Sequence, residues 1–264
     1  MHSSRLRALA CIFLIAAFPA AAADAPPSVF LEDLTSPELA QRIRAGSTTA
    51  IIPIGGTEQN GAHMALGKHN VRVRALAGKI AQALGNAIVA PVIAYVPEGG
   101  VNPPTGHMRY PGTITVSDKT YRDLLDSAAR SLKLAGFRDI VLLGDHGGYQ
   151  KDDEAVAQAL NHAWTGTGVR AHAVTEYYRA STAAFAEALQ RKGYAASEVG
   201  MHAGLADTSL ALAVDPSLVR GDRLQPSPGV TGNPARASAS LGNAGVDIIV
   251  AQTVAAIRAA PARP

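Results

Sequence analysis

The sequence predicts an α/β fold, a mostly parallel sheet covered by helices on both faces in three layers. Three observations carry that expectation. Apolar runs of strand length alternate with amphipathic helical stretches along the chain. The strand runs are apolar throughout, as strands buried on both faces are, and do not alternate with polar residues. Two of them end in glycine and then polar residues, Gly55-Gly56-Thr57-Glu58 and Gly144-Asp145-His146-Gly147-Gly148. Open α/β sheets present their ligands at such strand ends.

The elements follow in order. DAPPSVF (24–30) reads as a linker. In the next segment Ser36-Pro37 supplies an N-cap and first helical position, and Gly46 a stop. TTAIIPIG (48–55) is a short β-branched run bounded by glycine and predicts a buried strand. VRVRALAGKIAQALG (71–85) has helical spacing, and NAIVAPVIAYV (86–96) is the next strand. Ser117 caps an amphipathic helix over 117–137 whose stripe is Tyr121, Leu124, Leu125, Ala128, Leu132 and Leu134. RDIVLLGDHGG (138–148) is a strand running into glycines. DDEAVAQALNHAW (152–164) is a helix with acids in its first turn, where the helix dipole favours them. VRAHAVTEYY (169–178) reads as a strand and STAAFAEALQRKG (181–193) as a helix. The Gly/Pro-rich stretches 97–112 and 222–242 are loops, and loops of that length in a compact domain are usually functional.

The chain has 264 residues, 47% of them hydrophobic, enough for one sizeable core and marginal for two. Arg5 and Arg7, an apolar run over Ala8–Ala17 and small residues at 21–23 form the three-part pattern of a secretory signal cleaved after Ala23. That places the mature protein in the periplasm or outside the cell. The apolar run is too short for a permanent membrane anchor. Cys11, the sole cysteine, lies inside this leader, which excludes disulfide and thiolate chemistry from the mature chain. The net charge is only +3, and Arg5 and Arg7 leave with the leader. No basic run with interleaved aromatics remains, so nucleic-acid binding is excluded. The domain is therefore expected over 31–260.

A metal here would need His, Asp or Glu ligands. Glu58 and His146 follow strands and could face one cleft, and MHAGLADTSLAL (201–212) adds His202 and Asp207. Each has a plainer reading as a cap or turn residue. Asp145 could orient a neighbouring histidine or cap a turn. Neither a dinucleotide nor a P-loop glycine motif occurs.

GGTEQNGAHMALGKHN (55–70) resembles the first signature of the creatininase (creatinine amidohydrolase) family, G-S-T-E-Q-H-G-P-H-L-P-L-G-x-D. HMRYPGTITVS, LLGDHGGYQ, HAGLADTS and GVTGNPARASASLG are similar to four further family segments, in the family's order, over roughly residues 30–258. The resemblance implies a three-layer α/β/α fold, a homo-oligomer that is often a hexamer, one or two divalent ions, and hydrolysis of a non-peptide amide C–N bond in a small molecule. One branch instead trims a modified peptide. The family's glutamate ligand falls on Glu58, a histidine ligand on Asn60, the bridging aspartate on His69 and a further histidine on His146. A second-ion glutamate falls on Gly148, the proton-moving histidine on His202 and an acid on Asp207. An amide at Asn60 and an imidazole at His69 set aside a bridged two-ion centre. The expectation is a single divalent ion, zinc first, with manganese or iron as alternatives, held by Glu58, His69 and His146. Asp207 or water would complete the shell, with His63 and Asn60 as weaker ligand candidates. His202 or Asp207 would move the proton. Trp164, the only tryptophan, is expected in the core, so no tryptophan pair sandwiches a flat ring and creatinine is not the expected substrate. The alternatives are a non-catalytic small-ligand binder on this fold, or a lactonase or peptidase variant.

Overall fold

The computed structural model describes residues 28–260, so the expected leader and most of the linker lie outside the described residues. Strands β1 (Thr49–Ile54), β2 (Ala87–Val89), β3 (Asp139–Gly144) and β4 (Arg170–Ala173) form one parallel sheet in the order β2-β1-β3-β4. Both central strands are buried along their whole length.

Side chains alternate across that sheet and build two cores. Ala50, Ile52, Ile54, Ile140 and Leu142 face one side, where they meet Tyr121 and Leu125 of α3 (Asp118–Ala135) and Val156 and Leu160 of α4 (Gln150–Ala163). The edge of this layer is closed by α1 (Ser36–Arg44), whose Leu39 and Ile43 pack against it. Ile51, Val89, Val141 and Leu143 face the other side. There they meet α2 (Lys68–Leu84), a helical stretch comprising α5 (Thr175–Arg179), a π-turn at Ala180–Ala184 and α6 (Phe185–Arg191), and the later helices. Those are α7 (Ala196–Val199), α8 (Leu205–Val214) and α9 (Ala239–Ala259). The three-layer expectation is met.

Several elements differ from the sequence reading, each for a physical reason. The 86–96 strand stops at Val89: Ala90 still donates to the Ile51 carbonyl, but the next donor due from β1 is Pro53, which has no N–H, and only a single bridge, Ile54 to Ile93, continues the pairing. The 169–178 strand ends at Ala173 and the chain turns into α5. In α3, Leu124 and Leu134 are 44% and 90% exposed; Tyr121, Leu125, Ala129 and Leu132 carry the buried stripe. Most consequential, α2 begins at Lys68, three residues before the apolar spacing starts. The apolar spacing also left α9 unassigned. This helix is long and apolar enough to cross a membrane by length and composition, but here it packs along α8. Gly242 makes the approach close: a Cβ there would sit 1.8 Å from the Ser209 carbonyl oxygen.

One acid in α4 faces inward. Asp153 is 1% exposed and accepts a hydrogen bond from the Tyr121 hydroxyl at 2.5 Å. Burial pushes its carboxyl up to about 8, against the opposing Tyr121 bond. The folded chain therefore keeps a proton that the unfolded carboxyl releases near pH 4. This stability is complete below about pH 4 and is lost as pH rises through about 8. Asp153→Asn keeps the acceptor and removes the titration. Its melting temperature is expected to match wild type at about pH 3.5 and to exceed it by a widening margin as pH rises to about 8.5. Thermal denaturation at the two pH values checks this.

Candidate metal centre

Parallel pairing of the central strands sets Ile54 beside Gly144, so Glu58 and Asp145-His146 leave the sheet side by side. One hydroxyl ties the two exits together. Tyr149 Oη lies 3.1 Å from both the Asp145 and His146 amide nitrogens, which donate to it, and donates towards the Ile54 and Gly55 carbonyls at 2.9 and 2.7 Å. Gly55 lets α2 come close: a Cβ would lie 2.1 Å from Asn70 Oδ1, which accepts the Gly56 N–H at 2.9 Å. The first turn of α2 thereby brings His69 to the same point.

Glu58, 1% exposed, lies at the centre of four imidazoles. Its Oε2 is 3.2 Å from His69 Nε2 and 3.8 Å from His202 Nδ1. Its Oε1 is 3.6 Å from both His107 Nε2 and His146 Nε2. Burial raises the Glu58 carboxyl, but the close His146 and His69 imidazoles outweigh it and hold the group well below the usual carboxylate range.

A buried charge network backs the cluster. Asp145 accepts from His69 Nδ1 at 2.6 Å, from Arg72 Nε at 3.0 Å and from the Tyr177 hydroxyl at 2.6 Å. Arg72 also pairs with Asp207, and so does Lys68. Asp207 accepts the Ala203 N–H at 2.8 Å as well. Burial would raise the Asp207 carboxyl, yet Lys68 and Arg72 hold it well below the usual range. Glu98 reaches in from the 97–112 loop, with Oε2 3.5 Å from His146 Nε2 and Oε1 buried without a hydrogen-bond partner. Burial first, and the nearby Glu58 carboxylate, push it up to about 7 against the pull of His146.

The expected ligands Glu58, His69 and His146 are brought together, their ligand atoms within 4.8 Å of one another. Asp207 is not in that group: both its oxygens are held by Lys68, Arg72 and Ala203. Asn60 and His63 are buried but engaged elsewhere. Asn60 donates from Nδ2 to the Glu58 carbonyl at 2.6 Å, and His63 Nε2 meets the Thr208 hydroxyl at 3.0 Å. His202 does reach Glu58, and burial, helped by Lys68, pulls it down to about 4, so it is neutral at pH 7.

His107, Glu98, Lys68, Arg72 and Tyr149 were not read from the sequence as site residues. His107 had a usable signal, since it opens a segment matched by the resemblance. Lys68 was hidden because the apolar spacing starts only after it, and nothing local marks Glu98.

A divalent cation fits this arrangement. Glu58, Asp145 and Asp207 outnumber Lys68 and Arg72, leaving buried negative charge even before Glu98 is counted. A neutral His69 that donates from Nδ1 to Asp145 offers the Nε2 lone pair towards the Glu58 carboxylate. A lone pair facing an anion is unfavourable unless a cation lies between them. Carboxylate-to-histidine support of this kind fixes the tautomer and raises ligand basicity. Asp145→Asn is therefore expected to weaken metal affinity by about 10–100-fold, measured by competition with a chromophoric chelator.

A cavity of about 570 Å³ opens beside the cluster, lined by His69, His146 and His202 and by the apolar Ala186, Val199 and Leu210. That size suits a small molecule.

Comparisons with known proteins converge. Residues 32–257 match the family model described as creatininase, creatinine amidohydrolase. Creatinine amidohydrolase of Pseudomonas putida is 28% identical over 209 residues, covering 77% of this chain and 78% of that protein. The mycofactocin precursor peptide peptidase of Mycolicibacterium smegmatis is 32% identical over 115 residues, covering 42% of each. A solved structure described as creatininase with Mn superposes with a TM-score of 0.70 at 26% identity, covering 88% of this chain and 98% of that one. Another of these solved creatininases is described as a Zn-Zn type.

Proposed function

This chain belongs to the creatininase family, and from that premise we propose that it is a metal-dependent hydrolase that cleaves a non-peptide amide C–N bond, of the cyclic amide or formamide type, in a small molecule. The observation that carries the reading is Glu58, buried among four imidazoles at the carboxyl ends of the central strands and next to a cavity of about 570 Å³. Mn in one solved relative and Zn in another support either ion as the cofactor.

Glu58, His69 and His146 would hold the ion, and Asp145 would hold His69 in its ligating tautomer. A bound divalent ion supplies Lewis acidity towards an amide carbonyl and acidifies attacking water. The chain's own groups do the rest. Asp207, pinned by Lys68 and Arg72, fixes the first turn of α2 and with it His69. Of the two expected proton carriers, only His202 has a free nitrogen. Its Nε2 donates to the Gln59 carbonyl at 2.9 Å, which leaves Nδ1 facing Glu58. The apolar lining of the cavity excludes water from the non-reacting part of the substrate.

Trp164 is 2% exposed within the core between the sheet and α3 and α4, away from this cluster. That supports a substrate other than creatinine. The leader-like segment supports an exported enzyme, and the family resemblance a homo-oligomer.

The test is turnover of a panel of cyclic amides, formamides, lactones and short peptides by protein purified as folded. The reading expects hydrolysis of an amide, lost on chelation and restored by Zn²⁺ or Mn²⁺. Turnover that survives complete metal removal, or no turnover of any amide by metal-loaded protein, would overturn it. Hydrolysis confined to lactones or peptides would move the substrate class.

A further inference from the structure

The residues that the family resemblance would place on a second ion are Asn60 and Gly148, which carry neither an imidazole nor a carboxylate. Yet Glu58 has two histidines more than one ion's expected ligands account for. His107 comes from the 97–112 loop and His202 from the turn before α8, and their rings stack with centroids 4.1 Å apart. Each contacts Glu58 through one nitrogen, His107 Nε2 at 3.6 Å from Oε1 and His202 Nδ1 at 3.8 Å from Oε2.

The other nitrogen of each ring is fixed by one residue, Gln59. Its side-chain Nε2 donates to the Pro228 carbonyl at 2.9 Å, which leaves Oε1 as an acceptor for His107 Nδ1 at 3.0 Å. Its backbone carbonyl accepts from His202 Nε2 at 2.9 Å. In the neutral rings the protons therefore sit on His107 Nδ1 and His202 Nε2. The nitrogens that face Glu58 are both lone pairs, and two lone pairs against one buried carboxylate repel it. At 3.6 and 3.8 Å these contacts are also too long for hydrogen bonds. They are close to the spacing of ligands around an ion, since two donors each about 2.1 Å from a metal at a tetrahedral angle are about 3.4 Å apart.

His146 presents the opposite polarity. Its Nδ1 accepts the Gly148 N–H at 3.1 Å, so the ion-free neutral ring carries its proton on Nε2, between Glu58 and Glu98, and that proton has to leave before His146 can hold the first ion. Of the two histidine pairs on Glu58, His107 and His202 are the pair with both lone pairs already aimed.

We propose that Glu58, His107 and His202 form a second divalent-cation position, displaced from the family-expected second site and organised by Gln59. The proposal rests on the metal-dependent reading above. It assigns His202 Nδ1 to the ion instead of to proton transfer, which leaves Glu98, whose buried Oε1 has no hydrogen-bond partner, as the remaining group in the cluster to hold a proton.

The test is metal content. Full-length protein, stripped with chelator and reloaded with Zn²⁺ or Mn²⁺, is passed through a desalting column and its metal counted by mass spectrometry. His107→Ala and His107→Gln are measured beside wild type, with circular dichroism to confirm folding. The expected result is one equivalent of metal fewer than wild type in both variants. With Co²⁺ loaded in place of zinc, part of the visible d–d absorption should disappear, whether or not the variants hydrolyse anything. Folded variants that match wild type in both metal count and Co²⁺ spectrum would overturn the second position and leave the first intact. A wild-type protein that retains no metal would overturn the metal-dependent reading itself.

Discussion

Glu58→Gln is expected to leave a folded protein with no tightly held divalent ion, and with hydrolase activity lower by about 10³-fold or more. The substitution keeps the volume of the side chain and removes its charge. Glu58 contacts His69, His107, His146 and His202, so any ion in the cluster uses this carboxylate. Nothing nearby replaces it. Asp207 is committed to Lys68 and Arg72, Asp145 to Arg72, Tyr177 and His69, and Glu98 lies beside His146 alone among the four imidazoles. Metal affinity should fall by more than the about 10–100-fold expected for loss of a supporting residue such as Asp145. Folding should survive, because removing the carboxylate lessens the excess of buried negative charge. Equilibrium metal titration, with a thermal melt as control, reads both effects.

Arg72→Met is expected to do the reverse, costing stability first. Arg72 is 4% exposed and its guanidinium links Asp145 and Asp207. Burial disfavours its charge, yet Asp145 and then Asp207 hold it well above its ordinary value. Removing one partner of a buried ion pair leaves an uncompensated charge and costs about 3–5 kcal/mol. In a chain of this size that lowers the melting temperature by about 10 °C or more. Arg72→Lys keeps the charge but loses the planar fork that reaches two carboxylates, so it should fall between wild type and Arg72→Met. Equal melting temperatures for wild type and Arg72→Met would show that the network is not a stabilising one.

The sequence reading was strongest where a local rule governed the outcome. Apolar runs bounded by glycine located β1 and β3, because a strand buried on both faces has little choice of composition. Ser117 marked the start of α3, because capping is a local requirement. The same logic placed Glu58 and His146 at strand ends. It lost Lys68 and Arg72, because burial of a cation is decided by partners distant in sequence, here Asp145 and Asp207. It assigned Asp207 to metal because the type of residue fitted, while the fold commits that carboxylate to Lys68 and Arg72. Leu124 and Leu134 fitted a helical stripe but face outward, since the face that meets the core is the one carrying Tyr121, Leu125, Ala129 and Leu132. His107 and Glu98 sit on a loop with no period to read, and only the folded chain brings them to Glu58 and His146.

Every role in hydrolysis assigned above depends on Glu58 anchoring a divalent ion. The most direct measurement is anomalous diffraction from crystals of the protein loaded with Zn²⁺ or Mn²⁺, recorded on either side of the metal absorption edge. A peak is expected about 2.0–2.2 Å from a Glu58 carboxylate oxygen, within the same reach of at least one imidazole nitrogen. Metal-loaded crystals with no anomalous peak near Glu58, its oxygens still in contact only with the surrounding imidazoles, would contradict it.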